Sequence, residues 1–156
     1  CYYDYDYDGY GSGSAFPSLG LSCRNSGESP YNTDCDDANY TRNPGAAEVC
    51  DGIDNNCNGT ADEDGATGQR TWYIDVDGDG YGSTSNTAIQ CTAPVGFVSD
   101  GTDCDDAHAT VNPGATEQIA DGVDSNCDAY ELCYQDYDRD GFGSSSDATM
   151  SNTPSK

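Results

Sequence analysis

The stretch Asp75–Thr84, DVDGDGYGST, sets an aspartate at every second position (75, 77 and 79) and follows the third at once with Gly80. The same arrangement opens the chain as DYDYDGYG from Asp4 and returns as DYDRDGFG from Asp136. In an EF-hand-type calcium loop, side-chain oxygens come from positions 1, 3 and 5, glycine at position 6 makes the bend, and position 7 gives a backbone carbonyl. Asp75, Asp77, Asp79, Gly80 and Tyr81 fit that template; so do Asp4, Asp6, Asp8, Gly9 and Tyr10, and Asp136, Asp138, Asp140, Gly141 and Phe142. Carboxylates held this close repel one another unless a divalent cation sits among them. The alternative, that they only cap turns, must then explain three matching loops.

Position 12, where an EF-hand places a bidentate Glu, holds Ala15, Asn86 and Asp147. The missing ligands must come from elsewhere, and the nearest acidic supply is a D-C-D-D element. Asp36 or Asp37 is expected to complete the first site and Asp105 or Asp106 the second, with Asp34 and Asp103 capping the turn that follows. A second loop type lies in DNNCNGTAD, where Asp54, Asn56, Asn58, Gly59, Thr60 and Asp62 take positions 1, 3, 5, 6, 7 and 9. Its counterpart DSNCDAYEL keeps Asp124, Asn126 and Asp128 but has Ala129 for the glycine and Leu132 at position 9, so Glu131 or Glu117 is expected to complete it. Five loops allow about five calcium ions, which at two charges each would bring the formal −24 to about −14.

These loops belong to a tandem repeat. DCDDANYTRNPGAAEVCDGIDNNCNG from Asp34 returns from Asp103 as DCDDAHATVNPGATEQIADGVDSNCDA. Repeat one is read as residues 1–70, repeat two as 71–132, and an incomplete third as 133–156. Leu, Ile, Val and Phe make only 16 of 156 residues, too few for a substantial core. Of 29 acids, 24 are Asp and 5 are Glu, a bias toward turns rather than helix surfaces. The expected fold is mostly irregular, stabilised by calcium and disulfides. Short strands are expected in TWYIDV and GFV, and short helical turns in DDAHAT and GATEQIA.

The run DGDGYG, DCDD, NPGA and CDGIDNNCNG resembles the metal-binding motif repeats of bacterial MopE-like surface proteins, and the aspartate loops are also similar to thrombospondin type 3 repeats. The resemblance implies secreted or surface proteins in which calcium-bound, disulfide-linked repeats act as stalks, adhesive segments or appendages. Repeat two departs from it at Ala120, which replaces the cysteine seen at Cys50, and at Ala129. Some relatives of that class are associated with copper, which prefers imidazole and sulfur ligands. The chain offers one histidine, His108, and one methionine, Met150. Copper is therefore carried as an alternative to calcium, and calcium-dependent adhesion or glycan recognition as an alternative to a stalk or fibre role.

Nine cysteines among Gly, Ser, Thr and Asn suit an oxidising compartment and an extracellular or cell-surface protein. Zinc is disfavoured by the absence of any C-x-x-C pair. Repeat alignment suggests bridges Cys23–Cys35, Cys91–Cys104, Cys50–Cys57 and Cys127–Cys133, leaving Cys1 without an internal partner. That cysteine and the short third repeat are expected to mark unfinished ends, met by further repeats or by a head-to-tail copy in a fibre. No apolar run approaches the ~18 residues of a membrane span. No stretch reads as a signal peptide, and a mature or excised exported segment is expected. Five Lys and Arg against 29 acids disfavour nucleic acid. No nucleophile and histidine form a catalytic constellation, so no enzyme is expected. Sequons at Asn39 (NYT) and Asn58 (NGT) permit glycosylation.

Overall fold

Short strands form between the aspartate loops, and the clearest, at Arg70–Ile74 and Phe97–Val98, carry β-branched and aromatic residues. The computed structural model describes residues 1–18, 22–23 and 25–151, with residues 145–151 described by backbone alone. Among them are seven strands: β1 (Tyr2–Tyr3), β2 (Glu28–Ser29), β3 (Arg70–Ile74), β4 (Ser83–Gln90), β5 (Phe97–Val98), β6 (Glu131–Gln135) and β7 (Ser144–Ser151). They make three small sheets, β1-β2, β4-β3-β5 and β6-β7. β1 pairs antiparallel with β2, β3 with β5, and β6 with β7, the last with an irregularity between Tyr134 and Gln135. The strands expected in TWYIDV and GFV are β3 and β5.

The expected helical turns are not helices. After each D-C-D-D element the chain makes isolated i→i+3 bonds, Asn39 to Asp36 and Arg42 to Asn39 in repeat one, His108 to Asp105 and Val111 to His108 in repeat two. Each run then meets Asn-Pro-Gly, where proline cannot donate and the asparagine folds back: Asn43 Oδ1 accepts the Gly45 N–H and Asn112 Oδ1 that of Gly114, both at 2.9 Å. The tyrosine at position 7 of the preceding aspartate loop fixes the glycine of this corner. A Cβ at Gly114 would lie 2.8 Å from the Tyr81 hydroxyl, and one at Gly45 would lie 3.1 Å from that of Tyr10.

The chain divides into one unit of residues 1–70 with 89–92 and another of 71–88 with 93–156. Ala66 and Val111 are the buried apolar residues among those described, whereas Asp4, Ser29, Asp34, Glu48, Asn55, Ser125 and Glu131 are buried polar ones. Little apolar area leaves water, so hydrophobic burial contributes little to holding either unit together.

Disulfides do part of that work, in a pairing that overturns the expected one. Cys35 joins Cys57 and Cys104 joins Cys127, the same bridge in each repeat, between the D-C-D-D element and the second loop. In the second loop both bridging cysteines sit at positive φ, 56° at Cys57 and 59° at Cys127. Cys50 is thereby left to pair with Cys91, within the first unit. Repeat two has Ala120 at the equivalent position. Cys1 pairs with Cys23, so the expectation that it lacks an internal partner fails, and the unpaired cysteine among those described is Cys133. Each bridge over 22 or 23 residues contributes about 3 kcal/mol by restricting the unfolded chain.

Candidate metal sites

All five aspartate and asparagine loops share one local bonding scheme. The carboxylate at position 1 accepts the N–H of position 6: Asp4 from Gly9 (3.1 Å), Asp75 from Gly80 (3.2 Å), Asp136 from Gly141 (3.0 Å), Asp54 from Gly59 (2.8 Å) and Asp124 from Ala129 (2.7 Å). The side chain at position 5 accepts the N–H of position 7, at 2.8 to 2.9 Å: Asp8 from Tyr10, Asp79 from Tyr81, Asp140 from Phe142, Asn58 from Thr60 and Asp128 from Tyr130. The bend at position 6 needs φ near +95° (Gly9 98°, Gly80 97°, Gly141 94°, Gly59 96°), a region open to glycine. One oxygen of each position-5 side chain is thus spent on shaping the loop; at position 1 Asp4 spends one, whereas Asp75, Asp136, Asp54 and Asp124 accept backbone N–H groups through both oxygens.

The remaining oxygens converge. In the first site, Asp4, Asp6 and Asp8 can bring carboxylate oxygens within 4.8 Å of one another, and so can Asp6, Asp34 and Asp37. Asp37 reaches the loop by accepting the Tyr5 N–H (2.9 Å) and the Ser12 hydroxyl (2.9 Å). Asp34 uses one oxygen to accept the Asp36 N–H (2.8 Å), while its other oxygen is buried without a hydrogen-bond partner. Asp4 Oδ1, Asp6 Oδ2 and Asp8 Oδ2 are in the same condition. Four buried oxygens of like charge with no donor are not a stable arrangement of protein alone. Two carboxylates at such a separation repel by about 3 kcal/mol at an effective dielectric near 20.

The second site repeats this. Asp75, Asp77 and Asp106 converge, Asp106 accepts the Val76 N–H (2.8 Å), and Asp77 Oδ2 and Asp103 Oδ2 are buried without partners. Asp103 also caps Asp105 through its other oxygen (2.9 Å). Asn112 ties back one oxygen of Asp79 (2.8 Å). Burial pushes the carboxyls of Asp6, Asp34, Asp77 and Asp103 above the ordinary carboxylate range; neighbouring N–H groups pull them back and the surrounding aspartates raise them further.

Of the expected completing residues, Asp37 and Asp106 join the carboxylate clusters, while Asp36 turns to the Arg42 guanidinium and Asp105 to the His108 ring. Asp36 meets Arg42 at 3.0 Å, and Asp105 meets His108 Nδ1 at 2.8 Å. Asp34 and Asp103 combine the cap expected of them with a place in the site, since a carboxylate has two oxygens and the cap uses one.

The second loops close differently from expectation. Asp62 Oδ1 accepts the N–H groups of Asp51 and Gly52, both at 3.0 Å, and so braces a neighbouring turn. Glu63 instead faces the loop: its Oε1 accepts the side-chain amides of Asn56 and Asn58, both at 2.6 Å, and its Oε2 is buried without a partner. The Asn56 and Asn58 amides hold the Glu63 carboxyl below its ordinary range. The backbone scaffold behind this loop is Glu48, which accepts N–H groups from Asn55, Asn56 and Asp62. In repeat two Glu117 accepts from Ser125 (3.1 Å) and Asn126 (3.2 Å) through one oxygen, and the other is buried without a partner.

Asp136, Asp138 and Asp140 form the third loop with the same internal bonds, yet all three are exposed. The Asp147 side chain, at its position 12, lies outside the described residues, as does that of Met150.

Residues 34–63 and 103–131 both match the family model named for the copper-binding MopE proteins and described as "Putative metal-binding motif". The chain therefore carries two copies of that metal-binding motif, each running from the D-C-D-D element to the second loop. No curated protein and no solved structure matches the chain.

The donors present fit a hard, oxygen-seeking cation. Carboxylates, amide oxygens and backbone carbonyls are calcium ligands, and the unpartnered oxygens are the valences such an ion would fill. The cysteine sulfurs beside Asp34 and Asp103 are in disulfides and offer no thiolate, and His108 is exposed and bonded to Asp105.

Proposed function

We propose that this chain is a calcium-binding structural repeat segment of an exported surface protein, serving as a stalk or fibre rather than as a catalyst. The observation that carries the reading is the set of buried, unpartnered oxygens of Asp4, Asp6, Asp8 and Asp34, all of one chemistry and turned to one place. Asp37 would join them in the first site; Asp75, Asp77, Asp79, Asp103 and Asp106 would hold the second ion, and Asp54, Asn56, Asn58 and Glu63 a further one. The ion would supply the positive charge that offsets carboxylate repulsion, and metal binding would then be inseparable from folding. Disulfides, together with the absence among the described residues of any helix long and apolar enough to cross a membrane, suit an extracellular setting.

Copper finds less support, because the clustered donors are oxygens rather than imidazole or thiolate. Metal analysis of the chain purified without chelator separates the two: calcium at several ions per chain is expected, and copper as the stoichiometric metal would overturn the reading. A second role, calcium-dependent recognition, draws on the exposed aromatic residues flanking the loops, Tyr5, Tyr7, Tyr137 and Phe142. A glycan and protein array read with and without chelator tests it. Head-to-tail assembly now rests on the exposed third loop, since Cys1 is paired; a D-C-D-D element from another copy or segment would complete that loop. Electron microscopy with and without chelator tests this.

A further inference from the structure

The second loop of repeat two departs from its counterpart at the bend and at the closing acid. Ala129 replaces Gly59 yet holds the same kind of positive φ, 68° against 96°, a conformation that costs an alanine about 1 kcal/mol. At the offset where repeat one has Glu63, this repeat has Cys133. A merely vestigial loop has no reason to keep a strained bend. This one keeps it, along with the bonds from Asp124 to Ala129 (2.7 Å) and from Asp128 to Tyr130 (2.8 Å).

An independent observation points to a ligand. Glu131, the first residue of β6, is only 7% exposed, and neither of its carboxylate oxygens has a hydrogen-bond partner. The Glu117 oxygen not used by Ser125 and Asn126 is likewise buried and unpartnered, and the charges of both Glu131 and Asp124 bear on Glu117. A buried Glu131 and a half-buried Glu117 whose charges bear on each other, with three buried idle oxygens, need a cation. No arginine or lysine is paired with either among the described residues.

We propose that the second loop of repeat two is a calcium-class cation site in its own right, completed by Glu131 and the idle oxygen of Glu117. It draws on Asp124, Asn126 and Asp128 from the loop, so it carries four carboxylates where its counterpart, with Asp54 and Glu63, carries two. Because Glu131 begins β6, the ion also anchors the β6-β7 hairpin to repeat two, beside the Ala120 N–H bond to the Leu132 carbonyl (2.8 Å). The inference rests on the calcium reading above and adds a closing ligand to it.

The test is native mass spectrometry of the intact, disulfide-bonded chain titrated with calcium chloride, comparing wild type, Glu131→Gln, Asp124→Asn, the double variant and Asp54→Asn. Glu131→Gln and Asp124→Asn should each lose one ion, the double variant should still lose only one, and Asp54→Asn combined with Glu131→Gln should lose two. Hydrogen exchange on the wild-type chain gives a second readout that needs no variant: chelation should speed exchange at the Ala120, Leu132 and Cys133 amides at least tenfold. An unchanged ion count in both Glu131→Gln and Asp124→Asn, with other ions still bound by wild type, overturns this site and leaves the calcium reading standing. Chelator-insensitive exchange in β6, alongside faster exchange in the Asp75–Tyr81 loop, does the same if the variants do not fold. A wild-type chain that binds no calcium overturns both.

Discussion

The loop at Asp75 and the loop at Asp136 are nearly the same sequence with the same internal hydrogen bonds, yet one is half-buried and the other stands in solvent. In the first, Asp106 arrives from 24 or more residues downstream to join Asp75 and Asp77, and Asp103 comes close enough for its charge to bear on Asp77, Asp79 and Asp106. In the second, no D-C-D-D element occurs within residues 141–156. Local geometry therefore makes the loop, and the distant element makes the site. An aspartate loop of this kind is a half-site: position 1 spends both oxygens and position 5 one on the loop's own backbone, and position 3 and the oxygen left at position 5 face whatever closes over it.

The most severe way to break that comparison is to take the metal away. Chelation by EGTA is expected to loosen the closed loops at Asp4–Tyr10 and Asp75–Tyr81, with a loss of protease resistance in both units. The Asp136–Phe142 loop, already exposed, should exchange its amides at nearly the same rate before and after. Equal responses in all three loops would mean that the downstream aspartates do not matter.

A smaller but sharper effect comes from the closing residues themselves. Asp34→Asn keeps an acceptor for the Asp36 N–H but removes the charge, and should weaken the first site about tenfold or more, roughly 1.4 kcal/mol. Asp103→Asn should do the same to the second site. Asp36→Asn and Asp105→Asn, whose carboxylates face Arg42 and His108, should change affinity by less than about threefold. Calorimetric titration distinguishes these, and comparable losses from Asp34 and Asp36 would undo the assignment.

Acidity separates the closed loops from the open one more gently. Burial raises the carboxyls of Asp6, Asp34, Asp77 and Asp103 in the metal-free chain. A group whose folded value is raised contributes stability below its unfolded pKa, about 3.9 for Asp, and loses that contribution as pH rises through the folded value. The metal-free chain should therefore be more stable at pH 4 than at pH 7, by thermal melting in chelator. The calcium-loaded chain should show the reverse, because protons compete with the ion for the same oxygens. The smallest effect expected is that of Asp138→Asn, which should leave the ion count of the isolated chain unchanged, whereas Asp77→Asn should lower it by one.

The sequence by itself was sufficient for everything that depends on neighbours a few residues apart. Alternation at 4, 6 and 8, at 75, 77 and 79, and at 136, 138 and 140 places the carboxylates of a single bend on one side, and the glycine that follows makes the bend. The near-absence of a hydrophobic core and the strands β3 and β5 were legible for the same reason, from composition and from TWYIDV and GFV. Tertiary structure decided what lies across long loops. It selected Asp37 over Asp36 and Asp106 over Asp105, gave Asp34 and Asp103 a second use, and put Glu63 rather than Asp62 at the loop of Asn56 and Asn58. It also joined Cys35 to Cys57 and Cys1 to Cys23, where repeat alignment had favoured other partners. Adjacent carboxylates such as Asp36 and Asp37 are chemically alike, and only the direction in which the folded backbone points each one separates a member of the carboxylate cluster from the partner of an arginine.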